Sequence, residues 1–74
     1  MGDHKGFTVV LRGYDTGEVD AMLKRIQSAL ASTDPAARAS VRKQLDHPAF
    51  NARLRGYDRS EVDDYLRRAI DRLA

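Results

Sequence analysis

The sequence predicts a mainly α fold, a small three-helix bundle in which two pseudo-symmetric arm-turn-helix units are joined by a middle helix. Three observations carry this. The run Leu11-Arg12-Gly13-Tyr14-Asp15, continued by Glu18-Val19-Asp20, returns as Leu54-Arg55-Gly56-Tyr57-Asp58 with Glu61-Val62-Asp63, an internal period of roughly 43 residues. Phe7 and Phe50 lead the two copies, and Lys24-Arg25 and Arg67-Arg68 trail them. After each copy, apolar residues recur at helical spacing, and between the copies an Asp-Pro pair opens a further helix.

In chain order, residues 1–6 read as a flexible leader, with two glycines and mixed charges. The first unit covers 7–32. Its arm, Phe7-Thr8-Val9-Val10-Leu11, is rich in β-branched and aromatic types and is a short strand candidate; Phe50-Asn51-Ala52-Arg53-Leu54 is its weaker counterpart. If the arms meet, they add a minimal two-stranded pairing that the helices must cover. Val19, Met22, Leu23, Ile26, Ala29 and Leu30 then form the stripe of a helix ending near Ala31 or Ser32. A connecting helix covers 33–48, started by Ser32-Thr33-Asp34-Pro35 and stopped near Asp46-His47, because Pro48 disfavours helical geometry in the residue before it. The second unit covers 49–74, and its helix carries Val62, Tyr65, Leu66, Ala69, Ile70 and Leu73. The whole chain is one domain, and the middle helix would return it so that the first and last helices run parallel.

The repeated polar residues answer folding needs. Gly13 and Gly56 are expected where the chain turns off the arm, since glycine takes positive φ or a close backbone approach without a Cβ penalty. Asp15 with Glu18, and Asp58 with Glu61, have the form of a capping box, in which the aspartate accepts from first-turn amides and the glutamate reaches back to the cap residue's own N–H. Tyr14 and Tyr57 are expected to pack under the arm with the hydroxyl at its edge, and Asp20, Asp63 and Asp64 to be surface groups. Turn and cap requirements leave the Leu-Arg pairs, Leu11-Arg12 and Leu54-Arg55, unexplained. The plain reading of these leucines is that they close the end of the core.

The unit Phe-x-x-x-Leu-Arg-Gly-Tyr-Asp-x-x-Glu-Val-Asp-x-x-Leu resembles the N-terminal motif of the DivIVA family, bacterial coiled-coil proteins that gather at division sites and cell poles. It spans Phe7 to Arg25 and again Phe50 to Arg68. The resemblance implies a parallel two-stranded head whose exposed loop, carrying an aromatic residue beside an arginine, dips into anionic membrane. Carried over by position, that pair is Leu11-Arg12 and Leu54-Arg55, with leucine standing where the family has an aromatic. It also implies a non-enzymatic adaptor or scaffold in cell division or polar organisation. The expected partners are a DivIVA-like coiled coil or a second copy of the chain, and an anionic membrane surface, with the chain itself a monomeric pseudo-dimer or a homodimer.

Composition limits the other classes. Charged residues make up 32% of the chain but the net charge is only +2, so most charge is interspersed surface. The absence of cysteine excludes disulfides and thiolate metal sites and suits a reducing cytoplasm. No apolar run has the length of a membrane span, so a cytoplasmic chain, peripheral at most to the inner face of the membrane, is expected. No histidine pair at ligand spacing, phosphate loop or nucleophile elbow is present, so no enzyme activity, cofactor or metal is expected. A small basic helical DNA-binding domain is the alternative, on the pI of 9.3 and the cluster Arg53, Arg55, Arg59. Against it, the last helix opens with Asp58, Glu61, Asp63 and Asp64, which repel phosphate.

Overall fold

A computed structural model describes residues 7–74; the leader expected over 1–6 lies outside the described residues. The elements follow as β1 (Val9–Tyr14), α1 (Thr16–Ala31), α2 (Pro35–Asp46), β2 (Ala52–Tyr57) and α3 (Arg59–Leu73).

Each helix begins where a side chain satisfies its orphan amides. Asp15 accepts from the Glu18 N–H at 3.0 Å, Asp34 from Ala36 at 2.9 Å, and Asp58 from Ser60 at 2.9 Å, each cap worth about 1 kcal/mol. Pro35 occupies the first turn of α2, where its missing N–H costs nothing. At the other end His47 has left helical geometry, with φ −136° and ψ 65°, ahead of Pro48.

The core is a layer between α1 and α3. Val19, Leu23, Ile26 and Ala29 of α1 and Val62, Leu66, Ala69 and Leu73 of α3 are buried, joined by Leu45, Phe7 and Tyr57. Phe7 anchors the first arm to this layer, its ring 5.3 Å from that of Tyr57 and 5.7 Å, edge-on, from that of Tyr65. Tyr14 meets Phe50 at 5.2 Å on the other arm.

The mainly α class holds, with 63% of the described residues helical, but the expected three-helix bundle of two pseudo-symmetric arm-turn-helix units does not form. The most extensive contact between elements is the pairing of β1 with β2, well ahead of any pair of helices. The physical reason lies in α2, which buries only Leu45 and cannot act as a third equal wall. Nor do the two copies pack identically. Phe7 is buried and Phe50 half-buried; the position of Ile26 is taken in the second copy by Ala69, both buried.

The strands also differ from the expected arms. Both are shifted toward the glycines, so Gly13 and Gly56 lie inside strands and not at turns. Partner numbers fall along β2 as they rise along β1, from Val9 opposite Tyr57 through Leu11 opposite Arg55 to Tyr14 opposite Ala52. The pair is therefore antiparallel. Flanking backbone bonds keep the same sense, Asp15 N–H to the Asn51 carbonyl at 2.9 Å and Asp58 N–H to the Thr8 carbonyl at 2.8 Å. The register is irregular throughout, and Tyr14 faces Tyr57 as well as Ala52.

Candidate functional site

The bends of the two strands build the site. Val9 and Tyr14 both lie opposite Tyr57, although five extended residues would separate them by about 17 Å. β1 must therefore double back, and its sharp point is Arg12, the non-glycine residue at φ 64°. Ala52 and Tyr57 both lie opposite Tyr14, so β2 doubles back as well. The turn thus falls one residue before Gly13. A left-handed arginine costs on the order of 1 kcal/mol, strain of a kind that tends to collect at working sites.

Leu11, Arg12, Leu54 and Arg55 sit at these bends, and the pairing of Leu11 with Arg55 brings them together at one tip. Leu11 is 71% and Leu54 74% exposed. They do not close the core, which overturns the plain reading of these leucines. Val9, opposite Tyr57 at the other end of β1, is exposed as well. Arg12 and Arg55 are exposed too, and neither forms an ion pair among the described residues.

The glycines answer a different need from the one expected. A Cβ on Gly13 would overlap the backbone of Gly56 and Tyr57, and one on Gly56 the backbone of Tyr14 and Gly13. The two arms cross here main chain against main chain. Of the two properties of glycine, this position uses close approach.

Below the crossing, carboxylates fasten each arm to the opposite helix. Glu61 accepts from the Thr8 N–H at 2.7 Å and the Thr8 hydroxyl at 3.1 Å. Glu18 accepts from the Asn51 N–H at 2.7 Å and its Nδ2 at 2.8 Å. The glutamates therefore do not complete the expected capping boxes; the cap residues' own amides are taken by the other arm, leaving the glutamates free to clasp it. Tyr14 donates to Asp63 and Tyr57 to Asp20, both at 2.9 Å, so these aspartates are not idle surface groups. Burial, reinforced by the bond to Asp63 and its charge, pushes the Tyr14 phenol up from its ordinary value. Thr8, Asn51, Asp20 and Asp63 were missed as a group, although each pair recurs at the period of the repeat and could have been found by it.

One ion pair joins the arms to a helix cap, Arg53 Nε to Asp15 Oδ2 at 2.7 Å. The second copy has no counterpart, because Val10 stands at the matching position. The Arg53 hydrogen bond, then the Glu18 N–H, hold the Asp15 carboxyl below its ordinary value. A carboxyl depressed by folding stabilises the folded state above its unfolded pKa, near 3.9, and that contribution is lost as pH falls through the folded value. The Asp15 carboxyl resonance of an Arg53→Gln variant is expected to titrate at higher pH than in the parent; an unchanged midpoint would mean that Arg53 is not its main partner.

No group of histidine, cysteine, aspartate or glutamate among the described residues could hold a metal ion, and no helix among them is long and apolar enough to cross a membrane. No family model, characterised protein or solved structure matches the chain.

Proposed function

We propose that the chain is a non-enzymatic, DivIVA-like interaction module, an adaptor in bacterial cell division or polar organisation that docks through the tip of its ribbon on an anionic membrane surface. The observation that carries this is the pair of leucines, Leu11 and Leu54, held largely exposed beside Arg12 and Arg55 at the two bends. Burying each leucine contributes about 2 kcal/mol and each arginine near anionic headgroups about 1 kcal/mol. The sum, about 6 kcal/mol, corresponds to reversible contact between the millimolar and micromolar ranges. A single leucine would be too weak; two brought together are enough for a peripheral encounter. The repeated acids have structural employment, as caps and as clasps of the arms, which supports a binding and not a catalytic role. Those same acids ring the base of the ribbon and would repel a nucleic-acid backbone.

The test is sedimentation with phosphatidylglycerol vesicles at low and moderate salt, parent beside a Leu11→Ser, Leu54→Ser double variant. The parent is expected to co-sediment and the variant to lose at least about ten-fold in partitioning, the equivalent of 1.4 kcal/mol. Equal binding of both, abolished by salt alone, would reduce the tip to generic basic surface. No binding at all would turn the reading to a protein partner.

A further inference from the structure

A groove lies at the end of the molecule away from the ribbon, where the C-termini of α1 and α3 meet the start of α2. It has a volume of about 680 Å³. Leu30, Ala31, Ala39 and Leu73 give it apolar walls, and Arg38 and Arg42 are its charged side chains, with no acidic side chain lining it among the described residues. Arg38 is fixed in place, its Nη2 donating to the Arg72 carbonyl at the end of α3, 3.0 Å away. Arg42 is exposed and has no hydrogen-bond or ion-pair partner among the described residues.

We infer that this groove receives an acidic amphipathic helix of a partner protein. The two arginines are four residues apart on α2, so their side chains rise from one face a single turn apart. Carboxylates spaced by one turn on a docked helix would meet them in register, and guanidinium groups bind carboxylates through two parallel hydrogen bonds. The apolar walls would take that helix's hydrophobic stripe, the usual division of labour in a helix-in-groove contact. With arginines as its charged side chains, the groove favours an acidic helix over a basic one.

The position of the groove deepens the adaptor reading and rests on it for its meaning. Both α1 and α3 run from the base of the ribbon to the groove, and the sixteen residues of α1 span about 24 Å. The tip and the groove are thus separate contacts at opposite ends of the same pair of helices, and an adaptor requires two.

The experiment is a fluorescence-anisotropy titration with a sixteen-residue helical probe peptide bearing a leucine stripe flanked by glutamates one turn apart, beside the same peptide with lysines for glutamates. The intact chain is expected to bind the glutamate probe and to bind the lysine probe at least ten-fold more weakly. Arg42→Glu should lower affinity for the glutamate probe at least ten-fold, and Ala39→Trp, which fills the groove from an exposed position, should abolish binding. The Leu11→Ser, Leu54→Ser variant should bind the probe as the parent does, so failure of the tip reading leaves this result untouched. Equal affinity for both probes, or indifference to Arg42→Glu, would overturn the assignment. So would a dimer of the parent chain in sedimentation equilibrium that Ala39→Trp dissociates, since the groove would then belong to a second copy.

Discussion

A Gly56→Ala variant is expected to lose about 3 kcal/mol of stability, at the upper end of what overpacking costs, because the new methyl group lands on main-chain atoms of Tyr14 and Gly13. A side chain in that space could rotate away; a backbone cannot move without pulling apart the strand pair it belongs to. Gly13→Ala should cost about as much, since its Cβ meets the Gly56 and Tyr57 backbone. Either substitution forces the same two chains apart, so the double variant should lose little more than one of them alone. Gly56→Asn separates this account from a conformational one: asparagine tolerates left-handed geometry but still carries a Cβ, and it should be no better than alanine. Urea denaturation gives the energies, and loss of exchange protection at the Asp15 and Asp58 amides, which bond across the arms, would locate the damage. A Gly56→Ala chain within about 0.5 kcal/mol of the parent, the range of an ordinary surface change, would show that the arms do not cross there.

The second large effect is in the helical layer. Ile26 is fully buried, and Ile26→Ala should cost about 3 kcal/mol through lost transfer energy and a residual cavity. For a domain of this size that is much of the available stability, and a fall in Tm of more than about 10 °C is expected. The reciprocal change is the informative partner. Ala69 occupies the matching place in α3 and is 4% exposed, so Ala69→Ile should also destabilise, by about 1–3 kcal/mol, because the extra atoms have no room. If the two copies were interchangeable the second substitution would be harmless. Thermal denaturation of both variants decides it.

The parts of this molecule that were legible in its sequence are those settled within a turn or two of the chain. Asp15, Asp34 and Asp58 cap helices because the amides they satisfy lie two or three residues away. Pro35 and Pro48 bound α2 by constraints on their immediate neighbours. Apolar spacing identified the buried residues of α1 and α3, since one face of each must be covered. What the spacing could not tell was what would cover it. Phe7, just before β1, and Tyr57 of β2 complete that layer, and the strand pairing joins residues 38 to 48 positions apart, which no local signal encodes. Glu18 and Glu61 mislead for the same reason: their spacing from the aspartates matches a capping box, while the groups that actually donate to them, on Asn51 and Thr8, are distant in the chain. The bend at Arg12 was assigned one residue late, because glycine is the usual occupant of a turn and here serves the crossing instead. The exposure of Leu11 and Leu54 could be chosen between two readings only once the bends were known.

The bond from Asp58 to Thr8 and the packing of Phe7 against Tyr57 and Tyr65 also set an order on biosynthesis. When a ribosome has produced only the first arm and α1, the hydrogen-bond and ring partners of that arm, on Phe50, Tyr57, Asp58, Glu61, Asp63 and Tyr65, are still to be translated. An isolated helix of α1's length is marginal in water, so at ordinary elongation speeds this half must wait some seconds without a fold, its phenylalanine uncovered. The finished tip therefore comes into being only after α3 has emerged, and a chain released early would carry the Leu11-Arg12 sequence without the shape that displays it.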